Sequence, residues 1–225
     1  MGAYDRGCYR DYLGPNWYVS IFGSNDNDGS EENPFLTIQK GIDSASDGDT
    51  VFVAVGTYVE NINFNGKIIV VIGENRETTI IDANQQNTAV DFISGEDSTA
   101  ILSGFTIQNA SDGDGGGINC SNGSRPVLIN LIIKNNEANH GGGIYISNDS
   151  NPLLIDLIIE NNFGAISGGG IYIAGNSSLG IQNTIIRNNN SVEGGGIYCS
   201  GSNLLIENNI ISNNNASDGS GGGIY

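Results

Sequence analysis

The sequence predicts an all-β chain wound as a parallel β-helix: a solenoid of three strands per coil of about 26 residues, closed at its N-terminal end by one capping helix. Three observations predict it. The string GGGIY stands at Gly141–Tyr145, Gly168–Tyr172, Gly194–Tyr198 and Gly221–Tyr225, and GGGI also opens at Gly115, so Ile118, Ile144, Ile171, Ile197 and Ile224 follow at steps of 26, 27, 26 and 27 residues. A period of this size marks stacked repeats that bury their apolar faces against one another. Each period holds short apolar runs between Gly, Asn and Asp bends, which is too much for a hairpin and too little for a propeller blade of roughly 40 residues. Finally, the 34 glycines have no Gly-X-Y period and alternate with Ile, Val, Leu and Tyr, so neither collagen nor a flexible linker fits.

Bulk properties narrow the partners. A formal charge of −17 over 225 residues repels nucleic-acid phosphates and anionic membranes, and tolerates cations. No apolar run reaches membrane-spanning length. The three cysteines, Cys8, Cys120 and Cys199, form no zinc spacing. Cys120 and Cys199 hold the same place in their repeats, three coils apart, or about 14 Å at the inter-strand spacing, which is beyond disulfide reach. They read as small core residues equivalent to Ile146 and Ile173.

Taken in order, WYVS from Trp17 reads as a strand, followed by the polar loop FGSNDNDGSEE. The stretch NPFLTIQKGIDSA predicts the helix, with Asn33 as N-cap, Pro34 at the first helical position, and Ile38, Ile42 and Ala45 on one face. Strand signals then follow in TVFVAVGTYVENINF, KIIVVIG, TTIID, AVDFIS and AILSGFTIQN, with turns such as Asn65-Gly66 between them. Beyond Asp112 every repeat contains Ile-x-x-Asn, which stacks Ile133, Ile159, Ile186 and Ile211, and three residues later Asn136, Asn162, Asn189 and Asn214. These asparagines are predicted to form a structural amide column, each side chain donating to one neighbour and accepting from the other. A second polar column, Asn130, Asp156, Asn183 and Asn208, precedes them, and the glycine triplets supply bends that need positive φ.

From Trp17 onward, WYVS, NDGSEENPFLTIQKGIDSASDGDTVFVAVGTYVENINF, the VIGEN at Val71–Asn75 and TTIID resemble the N-terminal portion of secreted bacterial right-handed parallel β-helix proteins of the pectin lyase-like superfamily. The repeats are also similar to those of chlamydial polymorphic outer-membrane proteins, with a third Gly and with Ile in place of Phe. The resemblance implies a right-handed helix and a secreted or cell-surface bacterial protein. Gly2, Ala3 and Tyr4 resemble a stretch that closes repeat domains in such proteins, so residues 1–16 read as the tail of a preceding module or a linker. Residues 17–50 then form the N-terminal strand and capping helix, and 51–225 the coils, the last one cut short.

Pectin lyase-like enzymes use a Lys or Arg base with calcium-binding acids, or clustered Asp, and no such cluster is recognisable here. Lys134, Glu160 and Arg187 follow the isoleucine column and read as a charge ladder on adjacent rungs. His140, the single histidine, and Asp114 precede the glycine triplets of adjacent repeats, so the two are expected to touch; no serine or cysteine nucleophile is identifiable beside them. Asp26, Asp28, Glu31 and Glu32 surround Gly29 and offer oxygen ligands of the kind calcium takes, though a solvated turn explains them as well. Strand alternation points Tyr145, Tyr172, Tyr198 and Tyr225 outward as an aromatic stripe that could meet sugars, or simply cover the rungs. The reading is therefore a non-catalytic extracellular module for carbohydrate binding, adhesion or structural spacing that needs no cofactor, with calcium as the one ion the acidic loop could take. The alternative is a polysaccharide lyase or glycoside hydrolase. Polysaccharide is the expected partner, and the open last rung could associate end to end with another copy.

Overall fold

The computed structural model describes residues 14–225; Cys8 and most of the tail expected over residues 1–16 lie outside them. The described residues begin with β1 (Asn16–Val19), α1 (Ile38–Ser44), β2 (Thr50–Val53), β3 (Gly56–Val59) and β4 (Ile62–Asn63). The next rungs are β5 (Val70–Gly73), β6 (Thr79–Asp82) and β7 (Val90–Phe92), then β8 (Ile101–Ser103), β9 (Thr106–Gln108) and β10 (Ile118–Cys120). From there each rung gains a strand: β11 (Val127–Ile129), β12 (Ile132–Lys134), β13 (Glu137–His140) and β14 (Ile144–Ile146), then β15 (Leu153–Ile155), β16 (Ile158–Glu160), β17 (Phe163–Ser167) and β18 (Ile171–Ile173). The last are β19 (Ser178–Gln182), β20 (Ile185–Arg187), β21 (Asn190–Glu193) and β22 (Ile197–Cys199), followed by β23 (Asn203–Glu207), β24 (Ile210–Ser212) and β25 (Asn215–Ser220).

All the paired strands are parallel and stack into four sheets. One runs β1-β2-β5-β8-β11-β15-β19-β23, a second β3-β6-β9-β12-β16-β20-β24, and a third β4-β7-β10-β14-β18-β22. The fourth, β13-β17-β21-β25, corrects the expectation of three strands per coil. Its segments EANH, FGAIS and NSVE lack apolar alternation and read as bends, yet their backbones ladder with one another through register shifts. The spacing of 27 residues between Ile144 and Ile171 arises here: Glu137 to Ile144 is one residue shorter than Phe163 to Ile171, and the bulge between Gly164 and Ser167 absorbs the difference.

The core is a set of columns. Ile118, Ile144, Ile171 and Ile197 lie in register and fully buried, as do Ile107, Ile133, Ile159 and Ile186. Cys120, Ile146, Ile173 and Cys199 form the expected column, and both cysteines are free. Helix α1 closes the N-terminal end by packing the buried Ile38 and Ile42 against β1, β2 and β4. Its start differs from the expectation. Phe35 pairs with β1, giving its N–H to Tyr18 and taking one from Ser20, so Asn33 and Pro34 stay outside the helix. Thr37 is the N-cap, accepting from the Lys40 N–H at 3.3 Å, and the Glu60 carboxylate accepts the N–H groups of Ile38 and Gln39 at 2.8 and 3.0 Å.

The asparagine column forms as predicted. Asn162 Nδ2 donates to Ile133 O and to Asn189 Oδ1, each at 3.0 Å, while its own Oδ1 accepts from the Asn136 N–H and Nδ2. Asn189 repeats the pattern onto Asn214. The preceding column, Asn130, Asp156, Asn183 and Asn208, turns the corner with φ of 52–56°, a left-handed conformation that Asn and Asp tolerate. The glycine triplets meet two demands. Gly141 has φ 65°, whereas Gly142 is glycine because a Cβ there would lie 2.3 Å from Phe163 O on the next rung. The charge ladder is only half formed: Arg187 Nη2 and Nε each lie 2.7 Å from Glu160 Oε2, and among the described residues Lys134, in register with Glu160, forms no ion pair.

Candidate ligand-binding face

The outer face of the β4-β7-β10-β14-β18-β22 sheet brings together most of the side chains singled out in the sequence. In register along it stand Asn63, Asp91, Asn119, Tyr145, Tyr172 and Tyr198, with Tyr225 bonded beyond. Their neighbours in each strand point inward and are buried, so alternation turns this column outward. The four tyrosines stack with ring centroids 5.2, 5.2 and 5.3 Å apart, the first two pairs parallel to within 3°. Tyr172 and Tyr198 thereby turn both ring faces to other rings. What they offer to a ligand is a row of edges and hydroxyls, one per rung, while Tyr225 is 52% exposed. Burial, then the neighbouring Tyr145, Tyr198 and Asp114, raise the Tyr172 phenol above its ordinary pKa, which keeps it a hydrogen-bond donor.

The flank of the column is the line Asp114, His140, Ser167 and Glu193, which precedes the glycine triplets. Asp114 and His140 are backbone neighbours, but the His140 side chain turns the other way. Its Nδ1 lies 2.8 Å from Ser167 Oγ, and its ring lies against Tyr172 at 4.9 Å. Ser167 holds the position of His140 one repeat on, directly before the glycine triplet, so the two stack in register; what the repeat does not show is that the His140 ring turns toward this rung and not toward Asp114. This pair is not arranged as a nucleophile and base. Ser167 is 2% exposed, and the N–H groups that would hold an oxyanion are committed, Gly168 to Glu193 O and Gly169 to Gly194 O.

Sequence reasoning missed Asp91. It reads as one outward residue in VDF, but its environment is unusual. Burial first, then the charges of Asp112 and Glu96, push its carboxyl up to about 6. Asp112 accepts from Thr88 N and Oγ1, both at 3.0 Å, and Glu96, fully buried, accepts from Gly66 N, Ser94 N and Ser124 Oγ. On the next rung, in register with Asp91, Asn119 Oδ1 is buried without a donor. The tyrosine stripe thus runs, through Asn119, into a carboxyl able to hold or release a proton near neutral pH.

The proposed calcium loop does not converge. Asp26, Asp28, Glu31 and Glu32 are all exposed, Asp28 is held below its ordinary pKa by the Ser30 hydroxyl and N–H, and among the described residues no three His, Cys, Asp or Glu side chains group to hold a metal. Nor, among the described residues, is any helix long and apolar enough to cross a membrane.

Residues 67–225 match the family described as right handed beta helix region. The chain belongs to this family. Its handedness agrees with the rule that parallel strands are joined by right-handed crossovers. Comparison with curated proteins gave no match. Among solved structures this β-helix is similar to an aspartate-to-alanine mutant of pectin methylesterase in complex with a hexasaccharide, at 14% identity, TM-score 0.49, over 81% of this chain and 69% of the other. It is also similar to pectin methylesterase from carrot, at 14% identity, TM-score 0.44, over 95% and 86%. A GH136 lacto-N-biosidase from Eubacterium ramulus matches at 14% identity and TM-score 0.37, over 85% of this chain and 36% of the other. At this identity such similarity speaks of fold alone, and no site residue is transferred from it.

Proposed function

We propose that this β-helix is a carbohydrate-recognition module of an exported bacterial protein, with the tyrosine column as its ligand face. One observation carries the reading: four phenols in register along the axis present a row of hydroxyls repeating every rung. A sugar ring is about as long as one rung is high, so an extended glycan lying along the axis meets one hydroxyl per unit. Tyrosine edges with a polar tip suit such a half-apolar, half-hydroxylated ligand. The test is titration of a neutral β-linked glucan oligosaccharide into the protein and into a Tyr145→Phe/Tyr172→Phe/Tyr198→Phe variant, which keeps the ring stack and removes the hydroxyls. Three lost hydrogen bonds at ~0.5–1.5 kcal/mol each weaken binding by at least about tenfold with little change in melting temperature. Equal binding by both proteins would sink the reading.

A second reading, glycan cleavage by a lyase or hydrolase, is favoured by one feature, the raised Asp91 carboxyl at the end of the stripe. Product formation abolished by Asp91→Asn would establish it.

A further inference from the structure

We infer that the tyrosine face takes glycans without carboxylates and that Asp91, Asp112 and Asp114 are the residues that turn uronic-acid polymers away. The inference rests on the carbohydrate-binding reading and adds the class of glycan.

The placement of charge carries it. Asp91 stands in the ligand column itself, two rungs from Tyr145. Asp112 is close enough to act on the Asp91 carboxyl, and Asp114 close enough to act on the Tyr172 phenol. Both are exposed. Further along the same flank Glu193 occupies the position of Ser167 one rung on.

Among the described residues no fixed positive charge answers them. The lysines and arginines among the described residues are Lys40 on α1, Lys67 and Arg76 in the turns after β4 and β5, Arg125 in the turn after β10, Lys134 on β12 and Arg187 on β20. None lies on a strand of the tyrosine sheet or in the glycine bends leading into it. Three are also engaged: Lys67 Nζ donates to the carbonyls of Ile42, Asp43 and Ala45 at the end of α1, Arg76 pairs with Asp156, and Arg187 with Glu160.

A polyuronate lying along the stripe brings one carboxylate per sugar onto this face, inside the field of a chain of net charge −17. Like charges at short range reject a ligand more sharply than a missing hydrogen bond does, and specificity is often set by such repulsion. A neutral glycan of the same length and shape makes the same hydroxyl contacts without it.

The experiment is calorimetric titration of the full chain with a neutral β-linked glucan hexasaccharide and with a galacturonate hexasaccharide, at low salt and at about 1 M salt, where the Debye length falls to ~3 Å. The Asp91→Asn/Asp112→Asn/Asp114→Asn variant is titrated beside it, with Asp91→Asn alone as a milder second variant. The expected result is at least about tenfold weaker binding of the galacturonate at low salt, with the gap closing at high salt and narrowing in the variants. The salt series needs no substitution, so it stands even where the triple variant folds poorly. Galacturonate binding as tight as the neutral glycan at low salt overturns the inference while leaving the carbohydrate reading intact. Absence of binding by either glycan overturns both. A discrimination that folded variants leave unchanged removes the assignment to these three aspartates.

Discussion

At the scale of single residues, the molecule uses one geometry for two opposite ends. A position repeated on every rung either completes its neighbour's hydrogen bonding or crowds it. In the Asn136–Asn214 column the amide fits the repeat, since one side chain donates twice and accepts twice, leaving no buried polar group unmatched at a site 1% exposed. In the outward column Asp91 is the exception, with Asn119 Oδ1 unmatched beside it. Its pH dependence has a definite sign. The folded value, about 6, lies above the ordinary carboxyl value of 3.8, so the folded state binds the extra proton between them. That contribution to stability is fully present below about pH 4 and is lost as pH rises through about 6. Asp91→Asn, which cannot ionise, removes the slope. Urea midpoints of the two proteins measured from pH 4 to pH 7 should therefore diverge in favour of the variant as pH rises; parallel curves would show that Asp91 has an ordinary carboxyl.

At the scale of elements, what matters is how close successive rungs can come. The second and third glycines of each triplet have no need of positive φ, yet a Cβ on Gly142 would meet Phe163 O at 2.3 Å and Gly169 O at 2.8 Å, both backbone atoms of the adjoining rung. Neither can move without parting β14 from β18. Gly142→Ala is expected to destabilise by about 1–3 kcal/mol or more, as overpacking does. Gly113→Ala, whose Cβ would meet nothing within 4 Å, is expected to be neutral or slightly stabilising. Thermal melts of the two variants check this, and equal losses would refute the packing argument. The contrast also shows what could be read in advance. Columns that repeat every rung, the isoleucines, Asn136–Asn214 and Tyr145–Tyr225, were legible because one periodicity fixes their neighbours. Thr37 in place of Asn33 and the β13-β17-β21-β25 sheet were not, because each depends on a local departure, Phe35 joining β1 or backbone pairing through register shifts, and the bond from His140 to Ser167 was not, because the repeat sets which residues stack but not which way a side chain turns. Asp91 was hidden for a related reason. Its environment comes first from burial and then from Asp112 and Glu96, acidic residues in the segments outside its own strand, where the later repeats carry no carboxylate pair to mark the position.

At the scale of the whole molecule, order and stability run along one axis. Backbone hydrogen bonds join each rung only to its neighbours, and the side-chain pair Arg76–Asp156 reaches three rungs on, so stability is close to a sum of rung and interface contributions, and an end rung has half the interfaces of a middle one. The two ends are not alike. α1 covers the first, with Ile38 and Ile42 fully buried and Glu60 holding the helix N–H groups. At the other, β23, β24 and β25 each close a sheet, and Leu205, Ile206 and Ile210 are exposed where their equivalents one rung earlier, Gly180, Ile181 and Ile185, have another strand beyond them. Native-state hydrogen exchange should therefore be graded rather than uniform. Amides of β10, β14 and β18, in the middle of the tyrosine sheet, are expected to exchange slowest, those of β2 beneath the helix nearly as slowly, and those of β23–β25 fastest. Ile42→Ala, which opens a cavity under the cap, should accelerate exchange in β1 and β2 while leaving β18 and β23 unchanged, because the cap packs against β1, β2 and β4, far along the axis from those strands. If exchange in β18 rose together with that in β2, the stack would be opening as one cooperative body, and the additive account of its stability would be wrong.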